Sequence, residues 1–285
     1  MTRLPKIKSK DKNIRLCFRA LTVVLILSMP ISYAGESFFK GLSQNEIQAI
    51  GESVFKNECA SKEEELIAWN EGEDFMSLGI GHFIWHPAGA IDTFEESFIK
   101  FLKYAKDSGE QLPEWLDKTP LPACPWKTRA DFMASMGDRR LKELREFLIK
   151  TKQIQAAFII KRLDDALPLI LESFPKKRRD TIALRFNRVA ATSSGIYALA
   201  DYVNFKGLGI VVSERYQGKG WGLLQVLEGM KDEDTAVLED FVRSASVVLE
   251  ERIKNAPLVR NEQRWLPGWK KRINSYLNKG TINGK

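Results

Sequence analysis

The chain has 285 residues, 44 of them Lys or Arg against 37 Asp or Glu, for a formal net charge of +7, with only two histidines and three cysteines. Seven of the basic residues stand in the first 34 positions beside a single acid, Asp11, so the positive charge belongs to that segment and gives no argument for a nucleic-acid partner. The remaining length and an apolar share of 44% can bury a full core in one large domain, and no internal repeat or low-complexity tract competes with that reading.

The N-terminal segment reads as a secretory leader. A basic run from Arg3 to Arg19 precedes an apolar stretch at 20–31, and Ser32-Tyr33-Ala34 supplies the small residues at which a signal peptide is cut. A signal peptide over 1–34 is therefore expected, with the mature domain at 35–285 and a periplasmic or secreted location. The competing reading is an uncleaved anchor, because 16–34 is close to membrane-spanning length; Pro30 and the small-residue exit favour cleavage. Membrane contact is expected only through this leader. Cys17 leaves with it, and Cys59 and Cys124 remain as a candidate disulfide in an oxidising compartment.

Ser43-Gln44-Asn45-Glu46 has the form of a capping box, and Ile47, Ile50, Val54 and Glu58 follow at helical spacing, so a first helix is expected to run to about Cys59 with Glu58 on its apolar stripe. A carboxyl in such a setting has its neutral form favoured by desolvation, which suits a general acid; a solvated helix-end glutamate is the plainer alternative. Residues 61–69 read as a short helical or irregular piece whose Lys62, Glu63, Glu64 and Glu65 form a solvated face. Asn70-Glu71-Gly72-Glu73-Asp74 is turn chemistry, and 75–85, with Gly79 and Gly81, reads as a twisted hairpin.

From Pro87 the chain turns helical. Helices are expected at 92–106, 129–136, 139–150, 154–174, 176–191 and 195–204, with a proline-rich loop at 116–126 and a possible helical lobe or insertion over 107–175. Met133 and Met136 read as core. Asp180, Arg185, Asn187 and Arg188 read as a solvated or salt-bridged face. The stretch 201–227 is different: five glycines with Tyr202, Tyr216 and Trp221 as ring faces and Asn204, Glu214 and Gln225 as hydrogen-bonding groups form a surface suited to a sugar chain. A buried tryptophan and a structural glycine turn are the plain alternative for Trp221. A long amphipathic helix at 234–255 and a last helix after Pro267 complete the chain, with Trp265, Trp269 and Arg272 closing the core. The class is α+β, mostly α-helical.

Other chemistries lack residues. His82 and His86 are four apart, but His-Phe-Ile-Trp-His is strand-like and carries no glutamate, so no metal site is assigned. There is no Gly-x-Ser-x-Gly elbow, and Gly-Lys-Gly-Trp-Gly at 218–222 lacks both the P-loop and the dinucleotide spacing. No cofactor is expected.

Glu58, Glu71 and Ser77-Leu78-Gly79-Ile80-Gly81-His82 together resemble the catalytic glutamate, turn acid and Thr-Ile-Gly-x-Gly-His strand of phage-type lysozymes, over 50–85. Trp221-Gly222-Leu223-Leu224-Gln225 is similar to the Gly-Leu-Met-Gln segment of goose-type lysozymes and lytic transglycosylases, and Asn204-Phe205-Lys206-Gly207 to a segment of chitosanases. The resemblance implies a lysozyme-like fold, with a small β-hairpin beside a catalytic cleft, and a muramidase cleaving β-1,4 bonds of an amino-sugar polymer such as peptidoglycan or chitosan. Glu58 would be the general acid, Glu71 the base or electrostatic partner and Ser77 a holder of the attacking water, with Asn204, Tyr216, Trp221 and Gln225 binding substrate. Glutamate stands where the family has aspartate and serine where it has threonine, so Glu73 and Asp74 stay open as the second carboxylate. The alternatives are a non-catalytic glycan- or envelope-binding protein and a lytic transglycosylase.

Overall fold

The computed structural model describes residues 42–90, 96–212, 214–231 and 236–278. The signal peptide read at 1–34, with Cys17, lies outside the described residues. Helix α1 (Gln44–Cys59) begins at the predicted capping box: the Ser43 hydroxyl accepts from the Glu46 amide, and the Glu46 carboxylate accepts from the Ser43 amide. Glu46 also accepts a hydrogen bond from Ser193, which ties the start of α1 to the start of a distant helix. Ile47, Ile50 and Val54 are buried, as their spacing requires.

After α1 the chain passes through a short 3₁₀ turn (Glu63–Leu66), whose three glutamates are exposed, into a three-stranded antiparallel sheet: β1 (Ile67–Ala68), β2 (Met76–Leu78) and β3 (Phe83–Trp85). The predicted hairpin is β2–β3, with Ser77 opposite Ile84. The third strand, β1, comes from the piece read as helical or irregular, because Leu66 and Ile67 are drawn into the core and Ile67 pairs with Leu78. Met76 and Leu78 are both fully buried, and alternation turns Ser77 to the other face beside Ala68 and Ile84.

The helices follow as α2 (Ser97–Asp107), α3 (Arg129–Ala134), α4 (Arg139–Lys150), α5 (Lys152–Glu172), α6 (Lys176–Ala190) and α7 (Ser193–Lys206). Then come a small β4–β5 hairpin (Arg215–Tyr216, Lys219–Gly220), α8 (Leu223–Gly229), α9 (Val237–Asn255), 3₁₀ turns at Leu258–Arg260 and Glu262–Trp265, and α10 (Leu266–Ser275). The mostly helical α+β class is as expected. Helix α5 packs against α1 and α7, and its buried residues share one core with the sheet and the C-terminal helices. Met133 and Met136 depart from the expectation of core: each is 49% exposed, because Phe132 is the side chain α3 turns inward, against Trp69 and Trp126.

The turn joining β2 to β3 is set by a residue far away in sequence. Gln155, fully buried on α5, accepts from the Ile80 amide at 2.8 Å and donates to the Leu148 carbonyl at 2.7 Å and the Thr151 hydroxyl at 3.1 Å. Gly79 lies at φ +71°, and a Cβ there would stand 2.3 Å from the Gln155 amide oxygen. Glycine is needed for both the left-handed backbone and the close approach.

Cys59 and Cys124 do not form the expected disulfide: both are buried free thiols. The Cys59 sulfur lies 3.8 Å from the Gly79 carbonyl, just beyond the end of β2, whereas the Cys124 sulfur lies 3.4 Å from the Met76 sulfur at its start. The two thiols thus pack at opposite ends of β2.

Two outcomes are expected. Gly79→Ala should destabilise the fold by roughly 1–3 kcal/mol, read as a lower midpoint in urea unfolding. Burial pushes both thiols up to about 12, so peptide mapping after maleimide treatment should find Cys59 and Cys124 unlabelled in the native chain and labelled after denaturation.

Candidate active site

Helix α1 ends by delivering Glu58 into a partly closed polar cluster, its side chain 13% exposed. One carboxylate oxygen, Oε1, accepts from Arg272 Nη2 at 2.6 Å and from Asn204 Nδ2 at 2.9 Å. The other, Oε2, lies 3.6 Å from His82 Nδ1. Arg272 comes from α10 and Asn204 from α7, so the ends of three helices meet at this carboxylate.

Behind it lies a second, fully buried acid. Asp201 on α7 accepts from Arg272 Nε and Nη2, each at 2.8 Å, from the Tyr276 hydroxyl at 2.5 Å and from Asn57 Nδ2 at 3.4 Å. Asn57 also donates to the Tyr197 hydroxyl at 2.7 Å. Arg272 is thus shared between two carboxylates, bidentate to one and single to the other, a geometry that its planar fork permits and a lysine would not. Burial works against its charge, but Asp201 and Glu58 outweigh that effect and raise its pKa well above the ordinary arginine value.

The same cluster reverses one expectation. Burial pushes the Glu58 carboxyl up, as an apolar position predicts, yet the Arg272 charge and hydrogen bond, then His82 and Asn204, together hold it below the usual glutamate range. In the free protein Glu58 is therefore an ion-paired carboxylate.

The acidic turn carries three carboxylates, Glu71, Glu73 and Asp74. Glu71 is exposed. Glu73 is half-buried; its carboxylate accepts from Asn70 Nδ2 at 3.0 Å, and its carbonyl accepts from Trp69 Nε1 at 2.7 Å. Burial raises the Glu73 carboxyl, while the Asn70 hydrogen bond and the His82 ring act in the opposite direction. Of the three turn acids left open, Glu73 is the half-buried one, whereas Glu71 and Asp74 are exposed. His82 itself holds φ +46°, an uncommon conformation for a non-glycine residue, and its Nε2 is 3.5 Å from the Cys59 sulfur.

Ser77 is buried in the middle strand of the sheet, 4% exposed. Asn204 is brought directly to Glu58, as a residue that orients the carboxylate. Of the other three residues read as a sugar-binding wall, Tyr216 and Gln225 use their polar groups within the protein and Trp221 is buried. Tyr216 donates to Glu262 at 2.9 Å and lies 4.6 Å from the Trp221 ring, which is buried and carries the Arg252 guanidinium at 4.1 Å. Gln225 accepts from the Gly222 amide at 2.9 Å and donates to the Gly209 carbonyl at 3.1 Å. Gly209 and Gly222 let their two backbones touch: a Cβ on Gly222 would lie 2.1 Å from the Gly209 nitrogen.

Sequence reasoning passed over Asp201 and Arg272. Asp201 carried a legible signal, since it is the one charge inside the apolar run Gly195 to Val203, and a charge so placed needs a partner. Arg272 was read as closing the core with Trp265 and Trp269 and was given no chemistry, because its acidic partners lie 71 and 214 residues away in sequence. Among the described residues no group of three His, Cys, Asp or Glu side chains is placed to hold a metal ion. Comparison with protein-family models, with curated proteins and with solved structures finds no match to this chain.

Arg272→Met should cost roughly 3–5 kcal/mol in urea unfolding, because it strands two buried carboxylates. The pH dependence follows from the sign of the Glu58 shift. Its folded pKa lies below the unfolded value of about 4.3, so its contribution is present above that pH and lost as pH falls through the folded pKa. Urea titrations at pH 7, 5 and 3 should show this loss in the wild type and a smaller one in Glu58→Gln.

Proposed function

We propose that this protein is a lysozyme-like glycoside hydrolase that cleaves β-1,4 bonds in an amino-sugar polymer, with peptidoglycan as the substrate. The observation that carries the reading is a helix-end carboxylate, Glu58, 3.6 Å from His82, followed by a half-buried turn carboxylate, Glu73, one held low and the other raised, in the order that the lysozyme resemblance implies. Divergent environments of two carboxyls are how acid and base roles are separated at one pH.

In this reading Glu58 protonates the leaving oxygen. Both donors to Glu58 converge on Oε1, which leaves Oε2 to carry the proton. A glycan filling the cleft displaces water and adds to burial, already the largest single influence on this carboxyl, and that moves its pKa toward the working range. Glu73 then activates the water or stabilises positive charge at the sugar ring. The raised state of Glu73 favours a second reading, in which it is the proton donor and Glu58 the base. Export of the mature chain to the periplasm or medium is part of the proposal, since the polymer lies there.

Glu58→Gln keeps shape and removes the titrating group, so it should lower release of reducing ends from peptidoglycan by at least a hundredfold, while a single cooperative urea transition, its midpoint lowered by the lost Arg272 ion pair, shows that the chain still folds. Mass spectra of the wild-type products would show hydrolysed ends for a muramidase and anhydro ends for a transglycosylase; no products at all would leave a glycan-binding protein. An aryl glycoside with a good leaving group separates the two readings, because it should restore activity to whichever variant, Glu58→Gln or Glu73→Gln, has lost the acid.

A further inference from the structure

One cation next to the Glu58 cluster has no anionic partner. Lys206, the last residue of α7, places its ammonium 3.6 Å from the Trp269 ring centroid and 4.0 Å from that of Phe205. Among the described residues no carboxylate lies within ion-pair distance of it. Its neighbours are fully engaged. The same Phe205 ring carries Arg272 at 4.2 Å, and that arginine is held by Asp201 and Glu58. The same Trp269 ring has Arg252 at 5.2 Å, and Arg252 is bound by two nitrogens to Glu262, which also takes Arg260 at 3.1 Å. Of the four cations that share these rings and carboxylates, Lys206 is the one without an ion pair among the described residues, so the charge left over among them is its own.

That excess is costly as it stands. Burial, then Arg252 and Arg272, push the Lys206 amine well below its ordinary pKa, while Glu262 and Glu58 pull it back only in part. Aromatic faces hold an ammonium by at most a few kcal/mol, and they leave its third side without a hydrogen-bond acceptor. An anion arriving there would recover both the charge and the hydrogen bond.

We propose that Lys206 is the specificity residue of the Glu58 cleft and takes a carboxylate of the glycan strand, so that the substrate is an anionic amino-sugar polymer and not a polycationic or neutral one. This deepens the glycan-cleaving reading and rests on it. The chemistry follows from position. Arg272 joins the two features, touching Glu58 at 2.6 Å and sharing a ring with Lys206, so a strand whose glycosidic oxygen lies at Glu58 has its substituents near the ammonium. A carboxylate there is attracted, whereas the protonated amines of chitosan would be repelled by the unpaired Lys206 ammonium.

The test separates this from the cleavage reading by measuring binding without turnover. Full-length Glu58→Gln, with and without Lys206→Met, is titrated with soluble peptidoglycan strands, with the same strands after their carboxyls are converted to methylamides, and with a neutral chitin oligomer. The expected result is at least tenfold weaker binding of native strands by the Lys206→Met protein, with less than a twofold difference on the amidated strands or chitin, and recovery in Lys206→Arg. An equal loss on all three polymers, no loss on any, or no binding of native strands overturns the assignment. The cleavage reading fails separately, if the wild-type chain binds native strands in a Lys206-dependent manner yet releases no products.

Discussion

The Arg272 guanidinium is the interaction on which the arrangement of the Glu58 cluster depends. It comes from the last helix, reaches an acid on α7 and a glutamate on α1, and so joins elements 71 and 214 residues away in sequence. A buried ion pair of this kind adds little net stability over a well-packed apolar contact. Its effect is on position. With Asp201 satisfied by four donors and Glu58 by two on one oxygen, each carboxylate has a single favourable placement, and the free oxygen of Glu58 faces His82.

The glycines act in the same way on the backbone. Gly79 allows the β2–β3 turn to lie on Gln155, and that contact carries the turn bearing His82 to the end of α1. Gly209 and Gly222 allow the loop after α7 to lie against the start of α8, so that Gln225 bridges them. In both places a glutamine, buried at Gln155 and half-buried at Gln225, and a missing Cβ form one unit, since the amide can reach the backbone only where no side chain intervenes. The glycine-rich surface that suggests a sugar platform in the sequence is thus the mark of two chain segments in contact.

Local pattern carried most of the secondary structure. The capping box at Ser43, the helices Arg139–Lys150 and Lys176–Ala190 and the proline-rich loop after residue 116 were legible because each depends on spacing, caps and breakers within one or two turns. The strand Ile67–Ala68 was not, because two residues hold no periodicity and their pairing with Ser77 and Leu78 decides the matter. The exposure of Met133 and Met136 and the separation of Cys59 from Cys124 were hidden for the same reason: each depends on where a helix or strand is placed against the rest.

For the candidate site, the sequence by itself determined that a carboxylate ends an apolar-faced helix and that a glycine-spaced turn with a histidine follows it. Those are properties of residue order and of the 3.6-residue helical period. Only the tertiary structure decided the state of that carboxylate, because its pKa is set by a charge 214 residues away and by a hydrogen bond from α7. It also decided that Glu73 is half-buried where Glu71 is exposed, and that Lys206 shares its rings with Arg272 and Arg252 and has no ion pair among the described residues. Electrostatic interactions depend on distance through space, and sequence separation does not contain that distance.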